Sequence, residues 1–203
     1  MTDKLLENDC TIIETDTDGI LFSSTDPDRA YEEVSKILPD GIAIELEQKD
    51  CGAYVPKAKN YVIVSPDGKV STKGIFRKRN RYNLEKDFPI EFIRLYFTQS
   101  PEDATAYYQD IRSRLCDRRI DNDDLTVTRR IAANEKKLID LGFGQAGDKI
   151  SYWIGEEVRM GKSGKRLKSA ELPTNTEPYW IDYYLYRLDE QYNSILGDPK
   201  KNE

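Results

Sequence analysis

The first ninety residues mostly follow the alternating apolar and polar pattern of β-strands, interrupted by one helical stretch. Residues 10–23 place two β-branched or aromatic runs around an acidic tip, which predicts a β-hairpin. Apolar residues at helical spacing predict a helix at about 27–38, ended by Pro-Asp-Gly. Alternation returns at 42–47, and residues 60–76 hold two β-rich arms around a second Pro-Asp-Gly, which is a strong hairpin signal. This part of the chain therefore predicts strands with one packed helix.

Beyond residue 89 the apolar spacing becomes helical. The pattern predicts two or three helices at 92–115, a short extended arm at 124–131 and a further helix at 133–141. A Gly-rich segment with strand-like pieces follows at 142–169, and an aromatic-rich closing helix at 178–196. The change of pattern places a domain boundary near residue 97.

Length and composition describe an ordinary globular chain: 203 residues, 38% hydrophobic and 33% charged. No apolar run approaches the roughly 18 residues of a membrane span, and the first residues do not form a signal peptide. We therefore expect a cytoplasmic protein without a membrane partner. Cys10, Cys51 and Cys116 are far apart, and the chain has no histidine, which argues against a zinc site and against imidazole chemistry.

The net charge of −6 hides a strong segregation of charge along the chain. Residues 1–50 carry 14 Asp and Glu against 4 Lys and Arg, whereas residues 51–87 carry 9 Lys and Arg against 3 acids. A basic block of this kind, interleaved with aromatic residues, indicates contact with phosphates. A solvated, charged ribbon is the alternative.

The acidic hairpin tip reads Asp16-Thr17-Asp18-Gly19. Its spacing partly fits a calcium-binding EF-hand loop, but the last position is Thr25 instead of Glu and the flanks are strand-like, so that interpretation fails. Hard cations such as Mg²⁺ take carboxylate oxygens and leave much of their shell to water and phosphate. The tip can therefore supply part of a two-metal site, while an ordinary polar turn is the alternative.

Taken in order, several short motifs resemble the C-terminal part of a family B DNA polymerase. The motifs are 16-DTDG-19, 59-KNY-61, 73-KG-74 followed by Arg77 and Arg79, and the thumb-like 125-LTVTRRI-131 and 182-DYYLYRLDEQYNSIL-196. Their order and spacing across nearly the whole chain are more specific than any single motif.

This resemblance implies an α+β fold, with a partial antiparallel palm sheet and a packed helix over residues 1–97 and a mainly helical thumb over residues 98–203. It implies that Asp18 is a direct ligand of Mg²⁺ and Asp16 its supporting neighbour, the two catalytic carboxylates of this chain. Lys59 and Tyr61 would touch the primer end of the DNA. The remaining DNA-binding residues implied are Lys73, Gly74, Arg77 and Arg79.

Other family motifs do not occur in this sequence. Family members usually carry Tyr-Gly before the first Asp and Ser after the second, where this chain has Glu14-Thr15 and Gly19. The second palm carboxylate motif, the nucleotide-gripping fingers motif and an exonuclease motif are also missing, so one chain of this length cannot hold the nucleoside triphosphate.

We therefore expect a split polymerase subunit or a fragment that is inactive alone. Its partners would be primer–template DNA and a larger chain that supplies the exonuclease, the fingers and the other palm Asp. An opened palm would expose apolar surface, so self-association is also expected. The alternatives are a non-catalytic module that binds DNA or protein and a structural protein with a charged ribbon.

Overall fold

The computed structural model describes residues 1–16, 19–77, 81–166 and 168–197, and the chain divides into two compact units, Met1–Arg77 and Lys78–Glu203. The helices are α1 (Thr2–Glu7), α2 (Pro27–Ser35), α3 (Asn83–Thr98), α4 (Pro101–Cys116), α5 (Asn122–Leu125), α6 (Lys136–Asp140) and α7 (Ile181–Leu196), with a short 3-10 helix at Gly74–Arg77. The strands are β1 (Thr11–Thr15), β2 (Ile20–Ser23), β3 (Gly52–Lys57), β4 (Asn60–Val64), β5 (Val70–Lys73), β6 (Val127–Arg130), β7 (Lys149–Glu157) and β8 (Ala170–Thr174). The α+β class predicted from the sequence is confirmed.

In the first unit, β1 and β2 form the predicted antiparallel hairpin, with a bulge between Ile12 and Glu14. Helix α2 follows and begins at Pro27, where the Asp26 side chain accepts a hydrogen bond of 3.1 Å from the Arg29 backbone N–H. A small core of Leu5, Cys10, Ala30 and Val34 joins the helices to the hairpin. Because two strands alone bury little surface, the hairpin depends on this packing.

Strands β3, β4 and β5 form an antiparallel sheet in that order. The predicted Pro-Asp-Gly turn joins β4 to β5: the Gly68 N–H donates to the Ser65 carbonyl at 2.8 Å, and Gly68 has a φ of +80°, which glycine adopts readily. The strand predicted at 42–47 is wrong, because that segment has no strand partner. The Tyr31 hydroxyl instead donates to the Ile44 carbonyl at 3.0 Å, which ties the segment to α2.

The second unit packs α3, α4 and α7 around an aromatic core. Its fully buried side chains include Phe88, Phe92, Leu115 and Tyr184. Strands β6, β7 and β8 form a separate antiparallel sheet. The helices predicted for this half of the chain are present, in their predicted order.

The division between the units falls at Arg77 and Lys78, whereas the sequence pattern placed a boundary near residue 97. Residue 97 lies inside α3, and α3 contributes Phe88 and Phe92 to the core of the second unit. All of α3 therefore belongs to the second unit of this division. In the described part of the chain, no helix combines the length and the apolar character needed to cross a membrane.

Candidate functional site

Three of the sequence motifs meet at one carboxylate in the first unit. Asp16 follows β1, Lys59 lies in the turn between β3 and β4, and Lys73 ends β5. The Lys59 ammonium lies 3.3 Å from Asp16 Oδ1, and the Lys73 ammonium forms an ion pair with Asp16 Oδ2. We call Asp16, Lys59, Tyr61 and Lys73 the lysine corner.

The register of the sheet places Tyr61 in this cluster. Tyr61 on β4 is the direct partner of Lys73 on β5, so their side chains project from the same face. The Lys73 ammonium lies 5.9 Å from the centre of the Tyr61 ring, within the range of a cation–π contact. The tyrosine and the carboxylate together orient this lysine.

Gly74, directly after Lys73, packs against the turn that contains Lys59. It has a φ of +69°, and a Cβ at this position would overlap Asn60 Oδ1 and the carbonyl oxygen of Lys59. The Asn60 side chain there accepts a hydrogen bond of 2.8 Å from the Ile75 backbone N–H. Close packing therefore explains why glycine follows Lys73: only glycine lets the end of β5 approach the Lys59 turn this closely.

Glu14 is a site residue that the sequence analysis did not assign. Its Oε1 accepts a hydrogen bond from the Lys59 backbone N–H, and its Oε2 is buried without a hydrogen-bond partner among the described residues. Glu14 and Asp16 are both half-buried, whereas Ile13 and Thr15 are exposed. The alternation of a strand could have placed Glu14 on the Asp16 side of β1.

The other predicted DNA-binding and metal-binding residues are either exposed or outside the described part of the chain. Arg77 ends the 3-10 helix and is exposed, and Gly74 is exposed at the start of that helix. Asp18 and Arg79 lie outside the described residues. The structure therefore brings Asp16, Lys59, Tyr61, Lys73 and Gly74 together, and their roles toward DNA or metal stay predictions.

Among the described residues, Asp16 belongs to no cluster of several potential metal ligands. Across those residues, no group of three or more His, Cys, Asp or Glu side chains could hold a metal ion. The Asp16 side chain is 15% exposed, and each of its oxygens faces a lysine ammonium. Two lysine ammonium groups therefore pair with this carboxylate in the structure.

The exposed lysines beside the sheet of β3, β4 and β5 are suited to binding a polyanion. The Lys59 side chain is 65% exposed and the Lys69 side chain 84% exposed, and Lys57 is exposed as well. Lys57 and Lys59 lie at the end of β3 and in the turn after it, beside the lysine corner, whereas Lys69 precedes β5 at the opposite end of the β4–β5 pair and forms an ion pair with Asp67. Exposed lysines on adjacent strands can contact successive phosphates without reading base sequence.

Comparison with known proteins identifies the fold. No family model and no curated protein matches the sequence. Among solved structures, 52 chains match, and the fold is that of part of a family B DNA polymerase. One match is the family B DNA polymerase from the hyperthermophilic archaeon Pyrobaculum calidifontis, with a TM-score of 0.67 and 19% sequence identity.

The alignment covers 97% of this chain and 28% of the polymerase chain. The resemblance predicted from the motifs is thus confirmed for the fold over nearly the whole sequence. The chain spans little more than a quarter of the length of that polymerase.

Proposed function

We propose that the chain is the palm and thumb part of a family B DNA polymerase that is divided between two polypeptides, and that it holds the primer–template duplex. The observation that carries this proposal is the meeting of Lys59, Tyr61 and Lys73 at Asp16 within a family B polymerase fold. Three motifs that are separate in the sequence, 16-DTDG-19, 59-KNY-61 and 73-KG-74, contribute side chains to this one cluster.

In this proposal the lysines bind the phosphate backbone. Lys59 and Lys73 would approach phosphates near the primer end, with Tyr61 beside them, while Arg77 and Arg79 would extend the contact along the duplex. Binding would release counterions from the DNA, so the affinity would fall steeply as salt rises. The acidic segment of residues 1–50 would face solvent or the larger chain.

Nucleotide transfer would require a larger chain that brings the fingers, the exonuclease and the other palm Asp. Mg²⁺ enters the proposal only for that complete assembly, where Asp18 and a carboxylate of the larger chain would hold it and Asp16 would support Asp18. The contribution of this chain is then to position the primer end. An exposed palm face would also allow self-association of the free chain.

DNA binding is tested with a fluorescently labelled primer–template and anisotropy titrations at several salt concentrations. The double variant Lys59→Ala and Lys73→Ala is expected to weaken binding. It should also make the salt slope, which is the slope of the logarithm of the binding constant against the logarithm of the salt concentration, shallower by about one for each phosphate that the lysines no longer neutralise. Lys36→Ala is the matched control, because its side chain is 64% exposed and the residue caps α2 in the same unit. An affinity of the unaltered chain that does not change with salt would exclude the proposal.

Catalysis is tested by primer extension with the chain alone, with the larger polymerase chain of the same genome, and with both. We expect incorporation only with both, and its loss with Asp18→Ala. Nucleotide incorporation by the chain alone would show that it does not need the larger chain for catalysis, and it would contradict the proposal.

A non-catalytic binding module is the second candidate. The observation that favours it is that each Asp16 oxygen is already paired with a lysine, as in a structural ion-pair cluster. This candidate predicts salt-dependent DNA binding or capture of a protein partner, with no incorporation when the larger chain is added. The primer-extension experiment therefore separates the two candidates.

A further inference from the structure

We propose that Glu14 is the positioning residue for Lys59: its carboxylate holds the turn between β3 and β4 in the conformation that aims the Lys59 ammonium. The structural part of this inference is independent of DNA, and its consequence for DNA binding rests on the proposed function. Glu14 lies on β1, two residues before Asp16.

The turn needs an external restraint. Lys57 pairs with Asn60, so Ala58 and Lys59 form a two-residue connection between the strands. Lys59 has a φ of +60°, in the left-handed region that glycine and asparagine adopt more easily than lysine. A lysine persists in such a conformation when its surroundings over-determine it.

Glu14 supplies that restraint at the strained residue itself. Its Oε1 accepts the hydrogen bond of the Lys59 backbone N–H, so a charged acceptor from another strand fixes this peptide group. Its Oε2 is buried with no hydrogen-bond partner in the described part of the chain, an arrangement that is unfavourable for a carboxylate. A group that only filled space would be apolar here, so the position of the carboxylate is better explained by the bond that it accepts.

Glu14 and Asp16 therefore hold one lysine at two points. Glu14 binds the backbone of Lys59, and Asp16 lies 3.3 Å from the side-chain ammonium of the same residue. Fixing the Lys59 backbone lowers the conformational entropy that the residue would otherwise lose on binding a phosphate, whereas Asp16 competes with a phosphate for the Lys59 ammonium. Glu14 thus prepares Lys59 for an anion without touching the anion itself.

The DNA-free test is amide hydrogen exchange of the full chain, followed by NMR. Glu14→Ala is expected to raise the exchange rate of the Lys59 amide at least tenfold, while the Val62 and Val64 amides in β4 stay protected. Glu14→Gln keeps a neutral acceptor and is expected to give a smaller increase. Glu47→Ala, which removes the same charge from an exposed position in the same unit, is expected to leave the Lys59 amide unchanged.

Unchanged exchange at Lys59 in Glu14→Ala would overturn the proposal. If Glu14→Ala instead exposes the Val62 and Val64 amides, the variant has lost the sheet, and Glu14→Gln decides. Slower exchange of the Lys59 amide in Glu14→Gln than in Glu14→Ala supports the acceptor role, and exchange as fast as in Glu14→Ala opposes it.

The DNA test is a double-mutant cycle with Lys59→Ala, read by the salt slope of primer–template binding. Relative to Glu47→Ala, Glu14→Ala is expected to make the slope shallower by about one, the equivalent of one phosphate, and to change it no further when Lys59 is already alanine. Equal changes of slope in both backgrounds would contradict positioning through Lys59. If the unaltered chain does not bind DNA, the proposed function fails, and hydrogen exchange still decides the role of Glu14.

Discussion

The Lys73 ammonium donates a hydrogen bond to the Asp16 carboxylate, although 57 positions separate the two residues in the sequence. This contact joins the acidic hairpin to the last strand of the neighbouring sheet. It also means that the acid predicted to support a metal ligand serves in this structure as the counter-ion of two lysines.

Replacing Asp16 by Asn should increase the affinity of the isolated chain for DNA at low salt. The substitution removes one negative charge beside Lys59 and Lys73, so their ammonium groups attract phosphates more strongly, and the salt slope should steepen by about one. The measurement is anisotropy of labelled primer–template across a salt series. Weaker binding by Asp16→Asn would show instead that the carboxylate is needed to orient the lysines.

Replacing Gly74 by Ala should destabilise the first unit by about 2 kcal/mol or more. The new Cβ would overlap Asn60 Oδ1 and the Lys59 carbonyl, and alanine is strained at a φ of +69°. Gly41→Ala is the matched control, because Gly41 also has a positive φ, +84°, but a Cβ added there would meet no atom within 4 Å.

Hydrogen exchange at the Val62 and Val64 amides measures this loss of stability in the first unit. Tryptophan fluorescence cannot, since Trp153 and Trp180 both belong to the second unit. Equal destabilisation by Gly74→Ala and Gly41→Ala would show that backbone strain alone matters and that the close approach at the corner does not.

Replacing Tyr184 by Phe should destabilise the second unit by about 1–3 kcal/mol. The buried Tyr184 hydroxyl donates to the Leu125 carbonyl at 3.2 Å and accepts from the Ile154 N–H at 2.9 Å, so its removal leaves two backbone groups unsatisfied. Burial raises the pKa of Tyr184 well above its ordinary value, so the hydroxyl keeps its proton across the usual pH range.

Urea unfolding followed by tryptophan fluorescence checks this value. The control is Tyr186→Phe, since Tyr186 lies on the same helix and is 64% exposed. A decrease in the free energy of unfolding for Tyr184→Phe no larger than for Tyr186→Phe would contradict the hydrogen-bond role.

The Arg129–Glu135 pair should make the second unit sensitive to acid. The hydrogen bond from the Arg129 guanidinium, joined by one of 2.8 Å from the Ala132 N–H, lowers the pKa of Glu135 to about 2. Because the folded-state pKa lies below the unfolded value, the pair stabilises the fold above pH 4.5, and that contribution is lost as the pH falls toward 2.

The chemical shift of the Glu135 side-chain carboxyl carbon, followed by NMR from pH 6 downward, reports this titration directly. We expect a midpoint near 2 in the unaltered chain and a higher midpoint in Arg129→Gln. A midpoint close to the ordinary value for glutamate in both proteins would rule the ion pair out as the cause.

The motif order was sufficient to predict the fold, because each motif belongs to an element that local pattern also defines. The Pro-Asp-Gly turn at Gly68 and the cap at Asp26 are local signals, and the structure contains both features. The resemblance to a family B polymerase, drawn from the 16-DTDG-19, 59-KNY-61 and 73-KG-74 motifs, is confirmed for the fold.

The features that the sequence did not predict are set by distant contacts. The segment at 42–47 alternates like a strand but is held by the Tyr31 hydroxyl. Helix α3 precedes the boundary expected near 97 but belongs to the second unit, where Phe88 and Phe92 lie in the core. Glu14 went unassigned because its partner, the Lys59 N–H, is 45 positions away and belongs to the backbone. Strand alternation could place Glu14 on the Asp16 side of β1, but it contains no signal for the bond to the Lys59 N–H.

The ion pairs of the lysine corner also set an order of events during synthesis. Asp16 precedes Lys59 and Lys73 in the sequence, so during synthesis its carboxylate leaves the ribosome before either lysine. The corner cannot close until β5 has emerged, because the chain must give up the entropy of a long loop before the distant contacts form. The full set of ion pairs in the lysine corner is therefore completed only once Lys73 has been synthesised.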